Sequence, residues 1–327
     1  MQSSFSELEY AAKKKQTRCD RFLAEIEAVT PWSALGAEIE PFYPKGGGRG
    51  RPPIGVGRML RMYVAQQCFG LSDEGIEDAV YDSQAIRAFV GIDLAREAAP
   101  DATTLLRFRR LLETHGLTQK IFEVIKAHLA ERGLMMREGT IVDATLIAAP
   151  PSTKNRAKAR DPEMHQAKKG NQWYFGMKAH IGIDVESGLV HAVVATAANV
   201  SDVSQTHKLL HGEETEVLGD AGYQGVAKRE ENRDTSVTWH IAMKRSQRKA
   251  LPANRLGALL EKLEHAKASI RAKVEHTFHV VKNLFKHRKT RYRGLAKNEV
   301  QLFALFGLAN LLLARRPLLA LQARGAS

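Results

Sequence analysis

The sequence predicts an α/β fold in which an all-helical N-terminal region precedes a mixed sheet flanked by helices. Two observations lead to this fold class. Helix start and stop signals recur through residues 1–136, and β-rich segments alternate with helical ones from residue 137 onward. We therefore expect a helical domain over residues 1–136 and an α/β domain over residues 137–327, with a short insertion at about residues 226–256.

Polar caps and glycines delimit the helices that we expect in the N-terminal region. Ser6 and Glu9 have the spacing of a capping box and predict a helix that reaches about Val29. Short helices with tight turns are typical of helix-turn-helix DNA-binding units, although an ordinary helical dimerisation domain has the same signals. The later caps are Ser72, Asp82 or Ser83, Asp101 and Thr118, and the terminating glycines are Gly70, Gly116 and Gly133.

Strand signals dominate the first part of the C-terminal region. The segment at residues 139–147 is β-rich, and a turn at residues 184–188 joins two further strands as a hairpin. The polar, basic stretch at residues 150–172 is expected to be a mobile loop that orders on a phosphate backbone. The other strands are expected at residues 173–185, 189–196, 216–218 and 236–243, a helix capped by Asp202 between them, and long helices at about 256–286 and 299–313.

Composition indicates a polyanionic partner. The chain has 49 Lys and Arg against 36 Asp and Glu, a net charge of +13, which favours DNA, RNA or an anionic membrane surface. Cys19 and Cys68 are far apart without zinc-ligand spacing, so a disulfide framework is not expected and a reducing cytosol fits. The apolar stretch at residues 300–314 is shorter than the ~20 residues of a membrane span, and we expect a buried helix there.

Three acidic residues occupy positions where a carboxylate can do chemistry. Asp143 interrupts an apolar strand, Asp220 lies between a short strand and a glycine-rich turn, and Glu275 borders the apolar stripe of a long helix. Each alone has an ordinary alternative: an exposed strand edge, a turn cap and a surface salt bridge. Together they offer only oxygen ligands, which suit Mg²⁺ or Mn²⁺, and two such ions can promote phosphodiester displacement.

Longer motifs around these residues resemble a known family. They are GLSDEGIEDAVYDS and APDATTLLRFRRLLE in the N-terminal half, and IVDAT, WYFGMKAHIGID, ANVSD, GDAGYQG and RAKVEHTFHVVKNLFKHRKTRYRGLAKN in the C-terminal half. In them the chain resembles bacterial insertion-sequence transposases of the DDE type, in the insertion sequence five group of the insertion sequence four superfamily. The resemblance implies a ribonuclease H-like catalytic domain whose metal-binding triad is Asp143, Asp220 and Glu275.

The same resemblance implies cofactors, partners and location. Two Mg²⁺ ions, or Mn²⁺ in their place, are expected as cofactors. The DNA partners are the inverted-repeat ends of a transposon and a target DNA, bound by a homodimer or a higher oligomer without a membrane. The N-terminal domain would serve DNA binding or dimerisation, and a cytoplasmic, nucleoid-associated location is expected.

Basic and aromatic residues supply the candidate DNA contacts. The family signature Tyr-x-x-Arg-x-x-x-Glu-x-x-x-x-x-x-Lys is matched by Arg271, Glu275 and Lys282, while Ala268 stands at the tyrosine position. Trp239 is a candidate for stacking on a displaced base, and a core tryptophan is an equally good interpretation. Trp173 is expected in the core. The other candidate phosphate contacts are Lys178, Lys286, Arg288, Lys289, Arg291 and Arg293.

The predicted function is transposition by metal-dependent cleavage at the transposon ends, followed by transfer of the freed 3′-OH into target DNA. One alternative is a ribonuclease H-like nuclease that cuts without joining. A second alternative is a non-catalytic DNA-binding relic of a transposon, against which the presence of all three acids argues.

Overall fold

The structure, a computed structural model, describes residue 10 and residues 12–46, 52–136, 138–156, 158–233 and 235–325. The chain divides into two compact units. We call them the helical unit, Met1–His128 with Leu311–Ser327, and the sheet unit, Leu129–Asn310. The described part of the helical unit consists of helices, and the sheet unit is a mixed sheet flanked by helices. The predicted fold class is therefore confirmed.

The helices of the N-terminal half begin and end close to the predicted caps. Ser72 and Asp101 accept backbone N–H bonds at 2.9 and 2.6 Å, and Gly70 ends its helix at φ 67°. The helices of this half are α1 (Arg18–Val29), α2 (Trp32–Ile39), α3 (Val56–Phe69), α4 (Asp73–Asp82), α5 (Gln84–Val90), α6 (Ala102–Thr114) and α7 (Leu117–Ala130).

Two predicted helix starts differ from the structure. The capping box at Ser6 lies outside the described residues, and the one that begins α1 is formed by Thr17 and Asp20. Thr118 was expected to cap α7, but the helix already begins at Leu117 and the Thr118 side chain is buried. A threonine within the first turn of a helix cannot be told from a capping threonine by residue type alone.

The sheet of the second unit is mixed, as expected. Its strands run in the order β2-β3-β1-β5-β6, and β4 also pairs with β3. The central strand β1 is antiparallel to β3 and parallel to β5, and β5 is parallel to β6. The strands are β1 (Gly139–Ala148), β2 (His165–Lys169), β3 (Gln172–Asp184), β4 (Val190–Ala197), β5 (Glu216–Gly219) and β6 (Thr238–Ile241).

Two segments belong to the sheet, one predicted as a mobile loop and the other as an insertion with a strand at residues 236–243. The stretch at residues 150–172, expected to be a mobile loop, contains β2, which pairs with the start of β3. β2 is polar and mostly exposed, so it lacks the apolar alternation by which strands are recognised. The interval 226–256, predicted as a short insertion, contributes β6 to the sheet. The helix predicted after Asp202 is a 3₁₀ helix, Asp202–Leu209, whose N-cap is Ser201.

The long helix predicted at residues 256–286 is interrupted twice. α8 (Arg245–Lys249) precedes α9 (Arg255–Arg271), which ends at a turn residue, Ala272. α10 (Lys273–His279) follows and continues into a π-helical turn, Val280–Leu284. The buried stripe expected on this helix is present, because Val274, Phe278, Val281 and Phe285 are buried.

The last helix, α11 (Leu295–Gly325), contains the apolar stretch that was expected to be buried. Residues 295–324 form a helix long and apolar enough to cross a membrane, but 67% of its most apolar 18-residue window, whose mean hydropathy is 1.5, is buried inside the protein. Asn310 accepts from the N–H of Val190 at 2.8 Å and donates to its C=O at 2.7 Å, which ties this helix to β4. The prediction of a buried helix is confirmed.

Candidate active site

The three predicted acids line one cleft in the sheet unit. The cleft has a volume of about 870 Å³ and is bordered by Asp143 of β1, Asp220 after β5 and Glu275 of α10. β1 and β5 are adjacent and parallel, so the fold brings Asp143 and Asp220 to neighbouring strands although 77 residues separate them. Glu275 reaches the same space from the helix that contacts β1.

The surroundings of Asp143 disfavour its charged form. Burial raises its pKa to about 6; the negative charges of Asp220 and Glu275 add to the effect, while the backbone N–H of Ala144 at 2.7 Å and the charge of Arg271 oppose it. A carboxylate that is costly to ionise near two others is a site that a cation stabilises.

Asp220 is held by the turn that follows β5. It caps the 3₁₀ turn Ala221–Tyr223 and accepts the backbone N–H of Gly222 at 2.8 Å. A Cβ at Gly222 would lie only 2.9 Å from Asp220 Oδ1, so a larger residue would displace the carboxylate. The glycine after Asp220 thus has a role in the site itself.

Glu275 is positioned by bonds between α10 and the β3–β4 turn. Lys273 Nζ donates to the carbonyls of Val185 at 2.6 Å and Glu186 at 3.0 Å, and Thr277 Oγ1 donates to the carbonyl of Gly188 at 3.2 Å. These bonds flank Glu275 on both sides in the chain. The Glu275 side chain is exposed to the cleft.

The donor set of the cleft fits divalent metal ions that prefer oxygen. Carboxylates with open space between them suit Mg²⁺ or Mn²⁺, which retain waters and substrate phosphates. Among the described residues, the only group of three whose ligand atoms all lie within 4.8 Å of one another is His191, His211 and Glu214, so the acids of the cleft are spaced more openly than that.

The cations predicted to contact DNA fall into two groups. The cleft lining includes four of the predicted cations, Lys178, Arg271, Lys282 and Arg288. The predicted stacking residue Trp239 is not part of the lining. Lys282 Nζ donates to Thr145 Oγ1 at 2.5 Å and to the carbonyl of Leu146 at 2.8 Å, so it also links the π-helical turn to β1. Burial lowers the pKa of Lys282, and the charges of Lys169 and Arg288 add to the effect.

The remaining predicted cations follow the cleft along the chain. The backbone at residues 288–290 pairs with Ala148, the last residue of β1, through bonds of 3.2 and 2.9 Å. A basic segment thus pairs with the C-terminal end of β1. Within this segment Lys286 has a positive φ of 58°. The predicted contacts in this segment outside the cleft lining are Lys286, Lys289, Arg291 and Arg293.

The two tryptophans Trp173 and Trp239 lie in different environments. Trp239 lies on β6 and packs against a buried cluster that contains Val142, Val217 and Tyr223, which favours the core interpretation. Trp173, which was expected in the core, is 62% exposed. The prediction for Trp173 was wrong because its strand pairs only with the exposed β2 at this point, so no layer covers it.

Several residues of the cleft were not predicted from the sequence. Asp202 is a fourth carboxylate there, and its Oδ1 lies 2.9 Å from Lys178 Nζ. The Nδ1 atom of His180 lies 3.6 Å from the same Asp202 oxygen. Burial lowers the pKa of His180 to about 4, so this ring is neutral and Lys178 is the cation that neutralises Asp202. The ANVSD motif was a signal for Asp202. Lys168, Lys169, His279 and Asn283 also line the cleft.

Comparison with known families accounts for this arrangement. Residues 135–311, more than half of the chain, match the family described as Transposase DDE domain, and residues 10–111 match the one described as Transposase domain (DUF772). The DDE domain has a ribonuclease H-like fold and makes the protein a polynucleotidyl transferase/endonuclease that acts on DNA with a divalent metal. The chain belongs to the DDE transposase family.

Proposed function

We propose that this transposase cleaves the inverted-repeat ends of an insertion sequence and joins the freed 3′-OH to target DNA at one metal centre. Asp143, Asp220 and Glu275 are the ligands of two Mg²⁺ ions, which Mn²⁺ can replace. The element belongs to the insertion sequence five group, on the strength of the motifs around these residues.

The observation that carries the proposal is the convergence of three carboxylates, remote in sequence, on a cleft whose lining also includes several Lys and Arg side chains. A buried carboxylate in a structural ion pair has a lowered pKa, whereas the pKa of Asp143 is raised although the charge of Arg271 opposes the shift. The basic rim supplies positive charge at the distance of a DNA backbone, and the acidic centre supplies metal ligands.

Different residues of the chain have different roles in two successive phosphodiester displacements. In the first, water attacks the phosphodiester at the transposon end and the 3′-oxygen leaves. In the second, that 3′-OH attacks a phosphodiester of the target, and the 3′-oxygen of the target strand leaves. Metal held by Asp143, Asp220 and Glu275 would supply activation of the nucleophile and stabilisation of the leaving oxygen. Arg271 and Lys282 orient the scissile phosphate, and Lys178, held by Asp202, supports the same strand.

The basic segment beyond the cleft extends the contact along the DNA. Lys286, Arg288, Lys289, Arg291 and Arg293 bind phosphates of the transposon end, and their contribution weakens with salt. The N-terminal domain over residues 1–136 binds DNA or a second copy of the chain, and the catalytic domain over residues 137–327 does the chemistry. A homodimer or higher oligomer, cytoplasmic and nucleoid-associated, pairs the two ends.

A cleavage and joining assay tests the proposal. The protein is incubated with Mg²⁺, a plasmid carrying the DNA that flanks its own gene, and a labelled target duplex. We expect nicks at the element ends and joined products. Nicks without joined products would favour a nuclease, and neither product in Mg²⁺ or Mn²⁺ would favour a DNA-binding relic.

A further inference from the structure

A two-stranded ribbon extends the sheet at the rim of the cleft. It consists of β2 and the first residues of β3, paired from His165 opposite Gly176 to Lys169 opposite Gln172, with Gly170 in the turn. Both faces of β2 are largely exposed. None of the described residues covers this sheet edge, and an exposed edge with a large aromatic in solvent, here Trp173, is typical of a contact surface.

The ribbon carries positive charge that the neighbouring acids do not neutralise. Asp161 and Glu163, the acids just before β2, accept backbone N–H bonds from residues 294 and 295 at 2.7 and 2.8 Å. Lys168 and Lys169 are exposed and line the cleft. The charge of Lys169 also helps to lower the pKa of Lys282. This charge complements DNA, and it is continuous with the cleft.

Resting on the proposed function, we propose that this ribbon enters the major groove of the duplex held in the cleft and reads its base sequence. A two-stranded β-ribbon is one of the elements that the major groove admits. Lys169, Asn171 and Gln172 at the tip are residue types that bond to guanine and adenine edges. The Tyr174 hydroxyl donates to Gln172 Oε1 at 2.9 Å, which orders that amide before DNA binds.

Trp173 and Lys168 form the side of the ribbon. They are directly opposite each other across the two strands, so their side chains share a face. Lys168 contacts a phosphate while the indole packs on the adjacent sugar and thymine methyl groups. The ribbon thereby supplies sequence preference close to the scissile phosphate, which the carboxylates cannot supply.

Selection of binding sites from a randomised duplex library tests this inference. The full chain and three variants are compared: Asn171→Ala with Gln172→Ala, Trp173→Ala, and Lys168→Ala with Lys169→Ala. We expect the first to lose preference at one or two adjacent base pairs by about tenfold, and the second to lose it at a neighbouring pair. The lysine variant weakens binding to all sequences and lowers the slope of log affinity against log salt by about 2.

Leu259→Ala is the matched control, because Leu259 is 63% exposed on α9 outside the cleft lining. Its selected motif should equal that of the wild type. The inference is overturned if all ribbon variants select the wild-type motif within twofold at every position. A Trp173→Ala variant that changes its oligomeric state but not its selected motif also counts against the inference. A wild-type protein that neither selects nor cleaves DNA would instead overturn the proposed function.

Discussion

The two faces of β1 carry two polar clusters that look alike in composition and differ in physical state. Asp143 points into the cleft, and Thr140, three residues earlier, points to the opposite face. Thr140 Oγ1 lies 3.0 Å from His191 Nε2 and donates to Glu214 Oε1 at 3.1 Å. Each face thus offers three potential metal ligands within one unit of the protein.

The Thr140 cluster is closed by hydrogen bonds. Glu214 accepts backbone N–H bonds from His211 at 2.6 Å and Gly212 at 2.7 Å. The N–H of residue 213 donates to His211 Nδ1 at 3.2 Å, so the ring proton of neutral His211 sits on Nε2, 3.3 Å from Glu214. The ligand atoms of this compact group thus bond to one another, to Thr140 and to the backbone, which favours a structural network.

The cleft has the reverse character, with acids that are more widely spaced and one whose pKa is raised. The contrast between the two clusters teaches that proximity of ligand atoms does not define a functional metal site. A raised carboxylate pKa is the stronger sign, because it marks negative charge that an incoming cation would stabilise. Variants on the two faces of β1 should therefore differ in their effects on catalysis and on stability.

The largest effect is expected for the carboxylates of the cleft. Asp143→Asn, Asp220→Asn and Glu275→Gln should each lower the cleavage rate by on the order of 10³-fold or more, since metal ions contribute several kcal/mol to such displacements. Single-turnover cleavage in Mg²⁺ measures this, and gel-shift affinity for the same DNA should stay within a few-fold. Wild-type cleavage by Asp220→Asn would refute the site.

The raised pKa of Asp143 predicts a pH dependence of stability. Its pKa is about 6 in the folded protein against the ordinary value of 3.8 for an aspartate, so between these values the folded state binds more protons than the unfolded state. The stability of metal-free protein should therefore fall as pH rises from 4 to 6, by at most about 3 kcal/mol. Urea unfolding with chelator, compared between wild type and Asp143→Asn, isolates this contribution; parallel profiles would contradict it.

The close approach at Gly222 predicts an intermediate effect on catalysis. Gly222→Ala should push the Asp220 carboxylate away and reduce cleavage by about 10–100-fold, with a higher Mg²⁺ concentration for half-maximal rate. Gly36→Ala is the control, because a Cβ there meets no atom within 4 Å. Equal Mg²⁺ dependence of both variants would show that Gly222 does not shape the site.

The smallest effect on catalysis is expected on the closed side of β1. Glu214→Gln replaces an acceptor with an amide group that faces backbone donors, so it should cost about 1–3 kcal/mol of stability. At a temperature where the variant remains folded, its cleavage rate and Mg²⁺ dependence should match the wild type. A loss of metal dependence at full folding would reverse the roles of the two clusters.

Much of this arrangement could be predicted from the sequence where local and chemical signals agree. Ser72 and Asp101 mark helix starts because capping depends on one side chain. Asp143, Asp220 and Glu275 were found as a set because each interrupts or borders an apolar pattern, and because longer motifs surround them. Their arrival in one cleft depends on the pairing of β1 with β5 and on the contact of α10 with β1.

The missed features depend on tertiary surroundings. β2 is polar on both faces, so its pairing with β3 has no signature in composition. Trp173 has the residue type of a core position, and only the absence of a covering layer at that edge, among the described residues, exposes it. The π-helical turn after His279 sets the position of Lys282, and no residue in it distinguishes it from an α-helix.

The most direct test of the central claim is the location of metal in a crystal soaked with Mn²⁺ and examined by anomalous scattering. We expect anomalous peaks between Asp143, Asp220 and Glu275, and none among His191, His211 and Glu214. A peak confined to the histidine cluster, with the carboxylate cleft empty at saturating Mn²⁺ and bound DNA, would contradict the claim.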